Sequence, residues 1–155
     1  RGYMITAEVF LETGTEEGVL IAHGDATSGY SLYIRGGRLI HDMNVGGEHV
    51  LLQSDRTLQS GHRHLGVKVV RAAGRGRVLT LLIDDEEAGS LRTDLGFVNF
   101  ISWSGLDVAR DRGSPVSIYE APFPFSGRLR RVTVTMDDDQ SLDGDGVGRA
   151  QMARE

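Results

Sequence analysis

The chain has no cysteine among its 155 residues. That absence removes disulfide frameworks, zinc–thiolate sites and a cysteine nucleophile together, and it leaves the redox compartment open. Long apolar runs are missing as well. No stretch approaches the roughly 20 apolar residues that a bilayer-crossing helix needs, so no membrane partner is expected. Basic runs are absent too. The net charge is −5, and the arginines are scattered: Arg71, Arg75 and Arg77 surround a glycine-rich turn, while Arg128, Arg130 and Arg131 sit in a later segment. Binding to nucleic acid needs a concentrated cationic face that releases phosphate counterions, so no nucleic-acid partner is expected. Proline is scarce at 3 residues, and aromatics amount to 6% with one tryptophan, Trp103. No signal peptide opens the sequence, because Arg1-Gly2-Tyr3 leads straight into an alternating segment. Lack of a leader leans the compartment toward the cytoplasm. A chain that begins at Arg1 reads equally as a piece excised from a longer protein, with the main activity upstream.

What is present describes one β-rich domain. At 39% hydrophobic and 25% charged, the composition is globular, and the length fits one domain of about 100–200 residues. Glycine is abundant at 21 residues and falls between short alternating runs. In Tyr3–Glu12, Tyr3, Ile5, Ala7, Val9 and Leu11 alternate with Met4, Thr6, Glu8, Phe10 and Glu12, the period-2 signature of a strand. Gly18–His23, Tyr30–Arg35, Arg38–Val45 and Glu48–Ser54 follow, with Gly36-Gly37 and Gly46-Gly47 as hairpin turns. His64–Arg71 and Arg77–Asp84 form a hairpin around Ala72–Gly76, and the near-continuous apolar run Val78–Ile83 predicts a strand covered on both faces. Asp84–Glu87 reads as a turn, and Ala88–Arg92, Phe97–Ile101, Leu106–Ala109 and Leu129–Met136 complete the set. The expected fold class is all-β, a two-sheet antiparallel sandwich or jelly roll of about ten or eleven strands. Residues 1–136 form this domain. Residues 137–155, opened by Asp137-Asp138-Asp139, read as an acidic, flexible C-terminal tail, with one helical turn as the most that Gly148–Glu155 would form.

Catalytic constellations are not found. A glycosidase needs two carboxylates at a set separation; Glu8 and Glu12 share a strand face, but Phe10 stands where a helper acid belongs. His62 and His64 also share a face, yet nothing in the spacing of His23, His41 or His49 brings a third ligand. Ser141–Gly146 resembles the start of a calcium loop but lacks its first acid and its twelfth-position glutamate, which are Ser141 and Met152 here. No G-x-S-x-G elbow occurs, and Gly74-Arg75-Gly76 has no strand–loop–helix setting for phosphate. Neither catalytic residues, nor a metal site, nor a cofactor is expected in this chain.

Two readings remain for Leu106–Arg128. In one, Asp107, Arg110 and Asp111 form an ion-pair network that holds a long loop while its aromatics plug a core end. In the other, Tyr119, Phe123 and Phe125 form an apolar interface for another domain. They are not exclusive.

In this segment, Gly105–Val116 (GLDVARDRGSPV), then Ala121–Gly127 (APFPFSG) and Val132-Thr133-Val134, resemble the C-terminal region of bacterial arylsulfatases, with its LDVGRD-x-GSPV and PF-x-F-x-G blocks. Glu17–Ala22, Gly29–Tyr33, Gly37–Leu39 and Asn44 fit the same region in the same order, so the resemblance runs from about Tyr3 to Thr135. Ala109 replaces the usual glycine, and Asp85-Glu86 stands where a turn glycine is typical. The resemblance implies a concanavalin- or laminin-G-like sandwich that docks on a sulfatase catalytic domain in the same polypeptide and stabilises it. The parent's formylglycine and calcium would lie in that other domain; Ser114-Pro115 does not fit the C/S-x-P-x-R motif. The alternative expectation is a carbohydrate-binding, lectin-like module, with Trp103 as the candidate for stacking on a sugar ring.

Overall fold

The computed structural model describes residues 2–74, 76–94, 106–112, 114–136 and 149–153. Eleven strands run in chain order: β1 (Tyr3–Leu11), β2 (Gly18–Gly24), β3 (Ser28–Arg35), β4 (Arg38–Val45), β5 (Glu48–Gln53), β6 (Gly61–Arg71), β7 (Arg77–Ile83), β8 (Glu86–Thr93), β9 (Leu106–Val108), β10 (Arg128–Met136) and β11 (Arg149–Ala153). They form two antiparallel sheets, a six-stranded one ordered β11-β10-β1-β6-β7-β8 and a five-stranded one ordered β5-β4-β3-β2-β9. The fold class expected from alternation and turn spacing is the one observed.

Local chemistry explains the meander β3-β4-β5. Two-residue turns that match the twist of their strands need positive φ at both central positions, and Gly36 and Gly37 (φ 61° and 76°) and Gly46 and Gly47 (63° and 92°) supply it. The β7–β8 turn has the same shape without glycine, at Asp84 (φ 52°) and Asp85 (φ 68°). The turn is therefore two residues long, and β8 begins at Glu86, earlier than the sequence suggested. Asp84 is tied down, since its carboxylate accepts from the His64 amide at 3.0 Å and from Arg63 Nη1 at 2.7 Å. Asp85 has only an exposed contact to His64 Nδ1 at 2.9 Å, and such pairs contribute little. Replacing Asp85 by Gly should therefore raise the unfolding free energy by about 0.5–1 kcal/mol, because the left-handed conformation then costs nothing. Urea titration checks this, with Asp84→Gly, which loses both anchors, as the destabilised control.

The core lies between the sheets. Ile5, Ala7, Val9 and Leu11 of β1 meet Leu32 and Ile34 of β3, and Leu65, Val67, Leu79 and Leu81 close the cluster. At about 25 cal/mol per Å² of apolar surface removed from water, this cluster dominates stability. β7 departs from expectation in one respect. Leu79, Leu81 and Ile83 are buried, but Val78 and Leu82 are only half-buried. One face of the strand is thus covered by the opposite sheet and the other is not, so a continuous apolar run arises here without two-sided burial. The C-terminal segment also differs. Residues 149–153 pair with β10 (Arg131 opposite Ala153, Thr135 opposite Arg149) as a strand, not as a helical turn or loose tail, while residues 137–148 and the expected strand Phe97–Ile101 lie outside the described residues.

Candidate functional site

The outer face of the five-stranded sheet is roofed by residues 109–127. Backbone links hold the roof along β2: the Val19 amide donates to the Phe123 carbonyl at 2.9 Å, the Ala109 amide to the Leu20 carbonyl at 2.9 Å, and the Ser126 amide to the Glu17 carbonyl at 2.8 Å. Beneath it Val19, Ala22, Tyr33, Ile40, Val116 and Tyr119 make a second apolar cluster, with Phe123 packed against it.

A polar network runs through that cluster. Asp111, 1% exposed, accepts from the Val116 amide at 2.9 Å and from the Tyr119 hydroxyl, which also lies 2.9 Å from Ser31 Oγ. Ser117 donates to Asp42 Oδ2 at 2.6 Å and lies 3.0 Å from Tyr33 Oη, while His49 Nδ1 sits 2.6 Å from the same Asp42 oxygen. Asn44 donates to the carbonyls of Ala26 (2.9 Å) and Val116 (3.0 Å). Burial pushes the Asp42 and Asp111 carboxyls above their ordinary range, partly countered by these donors. Ser, Asp and His meet here in a different order from a Ser-His-Asp triad: the Asp42 carboxylate stands between the Ser117 hydroxyl and the His49 imidazole.

Asp107 pairs with Arg112 (Nε to Oδ1, 2.8 Å), not with Arg110, which is exposed. Asp111 serves Tyr119 and a backbone amide instead of an arginine, because the turn at 109–110 carries it under the roof. Tyr119 is 8% exposed and covered by its own chain, while Phe123 and Phe125 are half-buried, packed against the second cluster and the main core respectively, so the three do not form one exposed patch. The apolar side chain that this segment does present is Ile118, 61% exposed. Ala109 has φ 67°, a left-handed conformation that a glycine would adopt without strain. Ser114 Oγ accepts from the Ala26 amide at 3.1 Å, tying the loop to the β2–β3 turn. Trp103 lies outside the described residues.

The histidines occupy three separate places. His23 and His41 lie between the sheets with Tyr3 and Tyr30, whose rings stack at 5.1 Å, and Tyr3 Oη is 3.0 Å from His41 Nε2. Burial lowers His41 to about 3 and His23 to about 4, so both are neutral near pH 7. His49 lies on the roofed face. His62 and His64 share the outer face of the six-stranded sheet, as their spacing predicted. Among the described residues no three His, Cys, Asp or Glu side chains group to hold a metal ion.

That outer face carries an open groove of about 870 Å³ across β10, β1 and β6. Its floor is Phe10, with the His62 ring 4.9 Å away and the Arg128 guanidinium 5.6 Å above the Phe10 centroid. Arg63, Arg130 and Arg131 complete a cationic rim that Glu8 and Asp84 interrupt. The sequence reading missed this assembly because Arg128, Arg130 and Arg131 looked scattered. A signal was available: Leu129 and Val132, both buried, are three apart, so a strand holding them needs a bulge. The bulge is present opposite Glu8/Val9, and it turns both Arg130 and Arg131 outward.

No protein-family model and no curated protein matches the sequence. Solved structures do match in fold. A native heptameric SAP-like pentraxin from Limulus polyphemus is 15% identical with TM-score 0.56, over 86% of this chain and 63% of that one. Domains LG4-5 of the mouse laminin alpha1 chain are 18% identical with TM-score 0.55, over 86% and 34%. The receptor-binding domain of botulinum neurotoxin type G is 12% identical with TM-score 0.52, over 86% and 32%. The chain therefore has the sandwich of pentraxin and laminin-G domains and spans less than two thirds of each chain it matches.

Proposed function

We propose that this chain is a non-catalytic accessory module of a sulfatase, docking on the catalytic domain of the same polypeptide through the crest of the 109–127 roof. What supports the reading is the block Leu106–Gly127 itself. Its resemblance to arylsulfatase C-terminal regions is the most specific in the sequence, and its buried members (Asp111, Val116, Ser117, Tyr119) fix a rigid roof that holds Ile118 outward. An exposed isoleucine on a braced loop is an anchor of the kind that packs into a partner's pocket; Arg35 braces the loop by donating to the Ile118 carbonyl at 3.1 Å.

The upstream region should hydrolyse aryl sulfates, and adding this module should raise its melting temperature. The Ile118→Asp module should keep its own stability, because that side chain is solvated, yet lose most of the stabilising effect. An upstream region without sulfatase activity, or one indifferent to the module, overturns the docking reading. A second reading, a carbohydrate-binding module, is favoured by the groove on the opposite face of the sandwich.

A further inference from the structure

The geometry points to the groove over Phe10 as a binding site for an acidic oligosaccharide, gripped by Arg128 and Arg130. Four arginines and two carboxylates line it, so the groove is locally cationic in a chain whose net charge is −5. The cluster is assembled by one bulge: without the register shift opposite Glu8/Val9, alternation would turn Arg130 and Arg131 to opposite faces. Arg128 is held in place over the Phe10 ring, which lowers the entropy lost when its planar fork meets an oxyanion. Guanidinium forks of this kind take sulfate or carboxylate groups bidentately.

Two features separate a saccharide from other polyanions. Glu8 and Asp84 on the rim already pair with Arg131 (3.9 Å) and Arg63 (2.7 Å), which neutralises part of the rim and leaves its positive charge spaced at Arg128 and Arg130, a poor match for a densely charged phosphate chain. The one aromatic ring of the groove floor is already covered by Arg128 and His62, leaving no bare platform on which nucleobases could stack. The ligand that fits both is a chain bearing spaced anionic groups among hydroxyls. This site is independent of the docking surface, which lies on the other sheet.

Isothermal titration of the whole chain at low ionic strength tests it, using a sulfated, uronate-containing hexasaccharide, the same hexasaccharide desulfated, a neutral hexasaccharide, a mixed-sequence oligonucleotide and a polyglutamate peptide. The sulfated chain should bind and weaken steeply with salt, and Arg128→Gln with Arg130→Gln should weaken it by about tenfold or more with an unchanged melting temperature. Retained affinity after desulfation would assign the grip to carboxylate, lost affinity to sulfate; either supports the site. Failure of both acidic chains to bind, equal binding of the neutral chain, the oligonucleotide or the peptide, or indifference to the arginine substitutions overturns it.

Discussion

Acidification from pH 7 to pH 5 should remove about 4 kcal/mol of folding stability, about 2 kcal/mol from each of two buried histidines. His41 is fully enclosed and His23 is 4% exposed. Burial holds them at about 3 and about 4 in the folded state, against about 6.5 in an unfolded chain. Between those values the unfolded chain binds two protons that the native domain refuses. Stability is therefore complete above about pH 6.5 and declines as pH falls, with a limiting slope of about 2.7 kcal/mol per pH unit for two protons. Asp42 and Asp111 act in the opposite sense: their raised values mean that the folded state takes up protons first, so their protonation restores some stability at the acid end. Urea titrations across this range measure the slope directly. His41→Phe should reduce it to that of one proton, whatever the substitution costs overall by leaving the Tyr3 hydroxyl without its partner. A stability that stays flat between pH 6.5 and 4.5 would overturn the assignment of both histidines to the neutral interior.

Much of this architecture is legible in the sequence because strands announce themselves locally. The Gly-Gly turns, the alternation in Tyr3–Leu11 and the hairpin across Ala72–Gly76 each depend on neighbours a few residues away. What the residues did not announce depends on distant partners. Tyr119 looked like an interface residue because an aromatic in a proline-rich loop has no local sign of the Ser31 hydroxyl or the Asp111 carboxylate that receive it. Arg112 displaces Arg110 beside Asp107 through the path of the backbone, which charge order along the chain does not specify. Ala109 and Asp85 both fall at positive φ, a conformation that glycine adopts most easily and that neither residue announces in the sequence. The arginines of β10 are an intermediate case: Leu129 and Val132 break the period of two, and a bulge was deducible from that spacing, though not what it would gather.

Gly18→Ala should be among the most damaging small substitutions in the chain, at about 3–5 kcal/mol. Gly18 has φ +126°, and a Cβ there would stand 2.3 Å from the Pro124 carbonyl oxygen, 2.4 Å from Phe125 Cα and 2.5 Å from the Pro124 carbonyl carbon. All three are backbone atoms and cannot rotate aside. The backbone must part where the roof crosses β2, breaking the link from the Val19 amide to the Phe123 carbonyl. Gly74→Ala separates the two causes, since Gly74 also has positive φ (+74°) but open space around it; it should cost only about 1–2 kcal/mol for the conformation. For a chain of this size the Gly18 variant should melt about 10 °C lower. At temperatures where the sandwich still holds, hydrogen exchange should quicken at Val19, Phe125 and Ser126 while β6 and β7 keep their protection. If Ile118 docks a catalytic domain, this variant should also lose that docking, because the residue's presentation depends on the roof lying down. A Gly18→Ala domain with wild-type stability and an undisturbed roof would mean that the crossing at β2 is not the anchor of the segment.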